Sequence, residues 1–171
     1  MPARAMSDAQ LADVVRQRLQ GDRTGACMAV AVVEAERVAR TYQCARDADA
    51  SRIGADTAFE IGSVSKTMTA ALLAQVVAQG KGSLHDTLAS WLPAGTKVPD
   101  YQGQPILMRH VVTHTSGLPA LPSRLGAKSM DDPYANLDEA ALLASLGDAK
   151  LGAAPGTQFE YSNFASMLLS Y

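Results

Sequence analysis

The sequence predicts a mixed α/β fold class in which a short helix-and-hairpin part precedes a mostly helical part. Three patterns support this prediction. A capped amphipathic helix comes first, two strand-like segments follow it, and several helical patterns fill the rest of the chain. We assign residues 1–57 to the N-terminal helix and β-hairpin, and residues 58–171 to the mostly helical part.

The composition argues against several classes of protein. A hydrophobic fraction of 47% and a charged fraction of 19% are typical of a chain with a packed core. The net charge of -2 and the lack of a basic block argue against a nucleic-acid partner. The longest apolar stretch, residues 70–78, is too short to span a membrane. The three histidines have no Cys or acidic partners at ligand spacing, so we expect no metal and no cofactor.

The sequence pattern of residues 1–57 predicts a helix followed by a hairpin. Ser7 and Gln10 have the spacing of a capping box at a helix N-terminus. Residues 27–34 and 37–44 alternate as two antiparallel strands would, with a turn at residues 35–36. The apolar face that we expect the helix to bury consists of Leu11, Val14, Val15 and Leu19.

The two cysteines, Cys27 and Cys44, fall opposite each other in the predicted hairpin. A cross-strand disulfide is one alternative, but its geometry is demanding. Two cysteines alone do not make a disulfide framework. We therefore expect two reduced, half-buried thiols.

Residues 58–171 show a series of helical patterns. The strongest covers residues 63–79 and is apolar around most of its circumference, so we expect it to be buried inside the protein. Short helices are predicted at residues 84–92 and 106–112, and a further helix at 137–146, after an irregular stretch at 120–136. A last helical face is formed by Phe164, Met167, Leu168 and Tyr171.

The first candidate for chemistry is Ser63 with Lys66, which form an S-x-x-K pattern at the start of the strongest helix. Residues three apart share a helix face, so the hydroxyl and the amine can form a hydrogen bond. Burial disfavours a charged amine, and a neutral lysine can accept the proton of a nucleophilic serine. Gly62 allows a substrate to approach the backbone closely. The alternative is a helix-capping serine followed by an ordinary solvated lysine.

The second candidate is Tyr161 with Asn163, in a Y-x-N pattern. A phenol beside a lysine can be held as a phenolate and act as a base, and an asparagine amide can donate to a substrate. Tyr134 and Asn136 form the same pattern. We expect Tyr134 to be a half-buried aromatic residue without a catalytic role.

Three blocks, taken together, resemble the class C β-lactamase-like serine hydrolases, a family that includes D-alanyl-D-alanine peptidases and β-lactamase-like esterases. The blocks are FEIGSVSKT at 59–67, HTSGLP at 114–119, and PG at 155–156 ahead of YSN at 161–163. By this resemblance Ser63 is the acylated nucleophile, Lys66 its partner, Tyr161 the general base, and Asn163 a substrate contact. The PG pair favours Tyr161 over Tyr134.

The resemblance also implies a fold, a β-lactamase/transpeptidase-like α/β domain joined to an all-α domain. A third motif, a Lys or His followed by a small residue and Gly on a later strand, is absent from this sequence, as are the C-terminal strands of the sheet. His114 is structural in this reading. Leu107 replaces a Thr or Ser that caps the following helix, so we expect that cap to be missing or shifted.

These expectations describe a serine hydrolase that forms an acyl-enzyme with β-lactams, D-alanyl peptides or small esters. The alternative is an inactive fragment or pseudo-enzyme that acts in binding or assembly. A missing C-terminal segment or a second copy of the chain is an expected partner. The resemblance implies a periplasmic or exported protein, although residues 1–6 lack the apolar stretch of a signal peptide.

Overall fold

The structure is a computed structural model that describes residues 6–35, 37–129 and 131–171. The chain divides into two compact units, unit 1 (Met1–Glu60) and unit 2 (Ile61–Tyr171). Unit 1 contains helix α1 (Asp8–Leu19), strands β1 (Cys27–Glu34) and β2 (Arg37–Cys44), and a 3₁₀ segment, Asp47–Arg52. The chain is therefore of mixed α/β class with few strands, as the sequence predicts.

The capping box at the start of α1 is confirmed. The Ser7 hydroxyl accepts a hydrogen bond from the Gln10 backbone N–H at 3.3 Å, and the Ser7 N–H donates to the Gln10 side chain at 2.9 Å. Leu11, Val15 and Leu19 are buried, whereas Val14 is 52% exposed. The prediction that Val14 is buried was wrong. Helix α1 packs on the hairpin through a narrower face, which consists of Leu11, Val15 and Leu19.

The hairpin has the predicted register, in which Cys27 lies opposite Cys44 and Glu34 opposite Arg37. Residue 36 of the predicted turn lies outside the described residues. Within the described part of the chain, β1 and β2 pair only with each other, so each strand keeps one edge without a sheet partner. Such edges are open to pairing with another strand.

The cysteines form a disulfide bond between Cys27 and Cys44. The expectation of two reduced thiols was wrong. The physical reason is the register, which places the two residues directly opposite each other with their Cα atoms 4.0 Å apart. The bond closes the open end of the hairpin.

Reducing this disulfide is expected to lower the free energy of unfolding of unit 1 by about 3 kcal/mol, because the bond closes a loop of moderate length and restricts the unfolded chain. The bonded residues are 17 positions apart. Urea unfolding followed by circular dichroism, with and without reductant, measures the effect. The Cys27→Ala/Cys44→Ala double variant is the control and should not respond to reductant. An unchanged midpoint on reduction of the wild type would contradict the prediction.

Unit 2 holds most of the helices. A 3₁₀ turn, Gly62–Val64, leads into helix α2 (Ser65–Ala78), which thus begins later than predicted. The predicted helix at 84–92 is only the 3₁₀ segment Leu88–Trp91. The remaining elements are strands β3 (Asp100–Tyr101) and β4 (Gln104–Pro105), and helices α3 (Met108–Val112), α4 (Glu139–Asp148) and α5 (Asn163–Ser170).

One apolar core joins these helices. From α5 it takes Phe164, Ala165 and Leu168, of which the first two are fully buried. This burial fixes the start of α5, where Asn163 lies. The other buried members are Leu73, Leu88, Leu92, Ile106, Met108, Val111, Leu118, Leu142 and Leu146.

Helix α2 is not the buried helix that its composition predicts. Among its described residues only Leu73 is buried, while Met68 is 58% exposed and Leu72 64% exposed. Val64, just before α2, is 59% exposed. The reason is that the core of unit 2 packs on one side of α2 only. An apolar stripe of Val64, Met68 and Leu72 therefore faces solvent.

At the start of α3 the side-chain cap is missing, as expected, because Leu107 has no polar side chain. The backbone N–H groups of Met108 and Arg109 donate instead to the carbonyls of Asp86 at 2.9 Å and Leu84 at 3.0 Å. The Leu107 N–H itself donates to Nδ1 of His110 at 3.2 Å. His110 is buried, and burial, followed by the charge of Arg109, lowers the pKa of this histidine. Over residues 6–35, 37–129 and 131–171, no helix has the length and apolar character to cross a membrane.

Candidate active site

Ser63 and Lys66 lie together at the start of α2. Ser63 lies in the 3₁₀ turn and Lys66 one turn further on, so their side chains share a face. The Lys66 ammonium donates a hydrogen bond to Ser63 Oγ at 3.0 Å. Lys66 is half-buried, not deeply buried as the sequence suggested, because α2 is largely exposed.

Tyr161, which lies just before α5, contacts the same serine. Its hydroxyl lies 2.7 Å from Ser63 Oγ and donates to it. The two residues are 98 positions apart in the chain. Lys66 Nζ also lies 5.1 Å from the centre of the Tyr161 ring, within the range of a cation–π interaction.

The environment of Tyr161 favours its ionised form. The nearby Lys66 ammonium, and then the hydrogen bond with Ser63, lower the pKa of the phenol and outweigh the smaller, opposite effect of desolvation. A positive charge beside a phenol stabilises the phenolate. The phenolate can accept the Ser63 proton across the same oxygen–oxygen contact, because the serine hydroxyl can rotate towards it.

Gly62, Ser63, Lys66 and Asn163 line one open cleft of about 340 Å³. Gly62 has a φ of 51°, in the left-handed region that favours glycine, and nothing lies within 4 Å of where a Cβ would stand. Asn163 is the first residue of α5, whose N-terminus is capped by Ser162 through a 2.9 Å bond to the Ala165 N–H. The cleft therefore brings the Ser63 hydroxyl, the Lys66 amine and the Asn163 amide to one surface.

The structure adds residues that the sequence reading did not place at the site. Tyr134 lines the cleft, although no hydrogen bond joins it to Ser63, and it is 39% exposed. Helical spacing from Lys66 and Asn163 was the signal that could have identified the others, except Ser65, which is next to Lys66 in sequence. The further lining residues are Ser65, Thr69, Ser166, Met167 and Ser170.

His114 lies next to the site as a hydrogen-bonded turn residue, as predicted. Its Nδ1 accepts from the Ser162 N–H at 3.2 Å, and burial, then the charge of Lys66, lowers the pKa of its imidazole. In the part of the chain that the structure describes, no group of three His, Cys, Asp or Glu side chains could hold a metal ion. The arrangement, with a serine hydroxyl, an amine and a phenol in contact, has the groups that acyl transfer requires.

Comparison with known proteins connects this geometry to a family. A family model described as "Beta-lactamase" matches residues 11–171. The D-alanyl-D-alanine-carboxypeptidase/endopeptidase AmpH of Escherichia coli (strain K12) is 35% identical over 144 residues, covering 84% of this chain and 37% of AmpH. Esterase EstB of Burkholderia gladioli is 31% identical over 165 residues, covering 90% of this chain and 42% of EstB.

Solved structures show the same fold. A β-lactamase/D-alanine carboxypeptidase from Yersinia pestis, complexed with citrate, has a TM-score of 0.74 at 24% identity, covering 95% of this chain and 46% of that one. A class C β-lactamase mutant has a TM-score of 0.66 at 24% identity, covering 95% and 41%. The predicted β-lactamase-like fold is thus confirmed. The chain spans 37–42% of the length of the two curated relatives.

Proposed function

Because the chain belongs to the β-lactamase family, we propose that it carries the nucleophile and the base of a serine hydrolase that forms an acyl-enzyme at Ser63. One observation carries this proposal. Lys66 Nζ and Tyr161 Oη converge on Ser63 Oγ, at 3.0 and 2.7 Å. A serine hydroxyl is a weak nucleophile until a neighbouring group takes its proton, and this arrangement provides that group.

The proposed step is acyl transfer. The Tyr161 phenolate takes the proton of Ser63 as Oγ attacks the carbonyl carbon of the substrate, and Lys66 stabilises the phenolate by its charge. The tetrahedral intermediate then expels the leaving group, which receives the proton from Tyr161. An ester on Ser63 remains, and water hydrolyses it in a second step.

The proposed substrates are β-lactams, D-alanyl peptides or small esters. Support comes from the names of the relatives, which include a D-alanyl-D-alanine carboxypeptidase, an esterase and β-lactamases. Asn163 and Gly62 are the proposed substrate contacts, because both line the cleft that contains Ser63. The Asn163 amide can donate to a carbonyl of the substrate.

A further segment or a second copy of the chain is the proposed partner. The relatives are more than twice as long as the matched region. The exposed stripe of Val64, Met68 and Leu72 and the unpaired hairpin edges are surfaces such a partner would cover. By the family resemblance, a strand that carries the third motif would also donate a backbone N–H to the oxyanion of the tetrahedral intermediate, and such donors contribute about 10²- to 10³-fold each in rate.

The disulfide supports a location outside the reducing cytoplasm. Stable disulfides such as Cys27–Cys44 form in oxidising compartments, which include the bacterial periplasm. An exported protein is therefore the proposed setting.

The test is the intact mass of the folded chain after incubation with a fluorophosphonate and, separately, with a penicillin. We expect one fluorophosphonate adduct, formed as Ser63 Oγ bonds to phosphorus and fluoride leaves. The Ser63→Ala variant should give none. Ser51→Ala is the matched control, because Ser51 is an exposed serine of unit 1, and it should be labelled like the wild type.

The second candidate function, binding or assembly without catalysis, is favoured by the exposed apolar stripe of α2. Absence of a fluorophosphonate adduct from a chain that is folded by circular dichroism would contradict the hydrolase proposal and favour this one. A penicillin adduct on Ser63 would place β-lactams among the substrates. A fluorophosphonate adduct without a penicillin adduct would favour esters or peptides.

A further inference from the structure

The turn that follows α3 holds the chain on both sides of Tyr161. The backbone carbonyl of His114 accepts from the Glu160 N–H at 2.9 Å, and its ring Nδ1 accepts from the Ser162 N–H at 3.2 Å. One residue therefore binds both neighbours of the tyrosine in sequence. The segment at 160–162 cannot shift without breaking at least one of these bonds.

The ring of His114 also supports the Tyr161 ring directly. The two ring centres are 4.5 Å apart with an interplanar angle of 33°. This contact restricts the rotation of the phenol, whose hydroxyl must remain 2.7 Å from Ser63 Oγ. Aromatic contacts of this kind have preferred geometries that orient both rings.

His114 is itself fixed by the fold. Its φ is 57°, a left-handed conformation in which non-glycine residues are uncommon but histidine is enriched. Its N–H donates to the Val111 carbonyl at 3.3 Å, and Val111 is buried in the core. Nδ1 can accept from Ser162 only without a proton, so the neutral ring carries its hydrogen on Nε2.

We propose that His114 is the positioning residue of Tyr161, holding its phenol on Ser63 through the two flanking backbone bonds and the ring contact. The inference rests on the proposed role of Tyr161 as the base for Ser63. His114 touches neither Ser63 nor substrate in this proposal, so it acts only through Tyr161. Small losses of alignment between reacting groups are costly in rate, which is why such a residue matters.

Two variants test the proposal. His114→Gly keeps the left-handed backbone and removes the ring, and His114→Asn keeps the backbone and a short side-chain acceptor. For folded His114→Gly we expect the saturating rate constant of Ser63 labelling by the fluorophosphonate to fall about tenfold. The half-saturating concentration should change little, and His114→Asn should lose less. His85→Asn is the control, because His85 is exposed and contacts Arg109, away from the cleft.

A second readout does not depend on labelling. The Cζ carbons of the tyrosines, enriched in ¹³C, report the environment and titration of each phenol, and Tyr161→Phe assigns the Tyr161 signal. In His114→Gly we expect the Tyr161 signal to shift and its pKa to move towards the ordinary value, since its contacts with Lys66 and Ser63 are loosened. The Tyr42 and Tyr101 signals should not move.

The outcomes separate the two proposals. If the folded wild type is not labelled, the proposed function fails, and the Tyr161 signal still decides the role of His114. An unchanged Tyr161 signal in folded His114→Gly overturns the positioning role. A wild-type labelling rate in that variant does so too, whatever its melting temperature.

Discussion

Replacing Tyr161 with phenylalanine is expected to slow the labelling of Ser63 by a fluorophosphonate about 10²- to 10⁴-fold, the range typical of a lost general base. The change removes one oxygen, which lies 2.7 Å from Ser63 Oγ. The ring and its contact with His114 remain, so the loss reports proton transfer and not packing. Stopped incubation and intact-mass spectrometry give the rate.

The pH dependence of labelling gives a second signature of Tyr161. Its pKa is lowered by Lys66 and Ser63, so the phenolate forms at a lower pH than it would for a free tyrosine. The base is the deprotonated form, so the wild-type rate should rise with pH and then level off. The midpoint of this rise should lie below the ordinary pKa of tyrosine. Tyr161→Phe should lose this rise.

Two further tyrosine variants control this prediction. Tyr42→Phe changes a strand residue of unit 1 and should label like the wild type. Tyr134→Phe tests the other Y-x-N pattern, and we expect a much smaller loss than for Tyr161→Phe, because no hydrogen bond joins Tyr134 to Ser63. If the labelling rate fell more in Tyr134→Phe than in Tyr161→Phe, the base would be Tyr134 and the assignment of Tyr161 would be wrong.

Replacing Phe164 with alanine is expected to lower the free energy of unfolding of unit 2 by about 3–5 kcal/mol, the usual cost of a cavity left by a buried phenylalanine. Phe164 is fully buried in the core, in the first turn of α5. The fluorescence of Trp91, the one tryptophan of the chain, follows this unfolding, since Trp91 packs against the same core. Urea titrations of wild type and variant give the difference.

The matched control for this variant is Phe159→Ala. Phe159 is 70% exposed, and its main aromatic contact is an edge contact with His114 at 6.0 Å between ring centres. We expect a loss below about 1 kcal/mol, as for most surface changes. Equal losses at the two positions would show that Phe164 is not the core residue that the structure indicates.

The local sequence was sufficient to predict the features that depend on interactions between residues near each other in the chain. The bond pair between Ser7 and Gln10 spans three residues, and the alternation of the hairpin strands sets which residues face each other. The contact between Ser63 and Lys66 follows from helical spacing alone. In each case the partners are near in sequence, so a pattern of a few residues determines the geometry.

The burial of α2 and the bond between the cysteines depended on tertiary packing. Composition predicted a buried α2, but burial is a property of neighbours, and the described chain covers only the Leu73 side of that helix. The cysteine bond needed the register together with two Cα atoms 4.0 Å apart. The sequence predicted the register, but it did not give the distance between the two Cα atoms.

By itself the sequence determined the fold class, the hairpin register and the Ser63–Lys66 pair, because short-range periodicity and capping specify them. Resemblance named Tyr161, but only the tertiary structure brought its hydroxyl to Ser63 across 98 residues and put His114 against its ring. The reason is physical. These contacts form when the core closes around α3 and α5, and no local pattern encodes the distance between segments that only packing brings together.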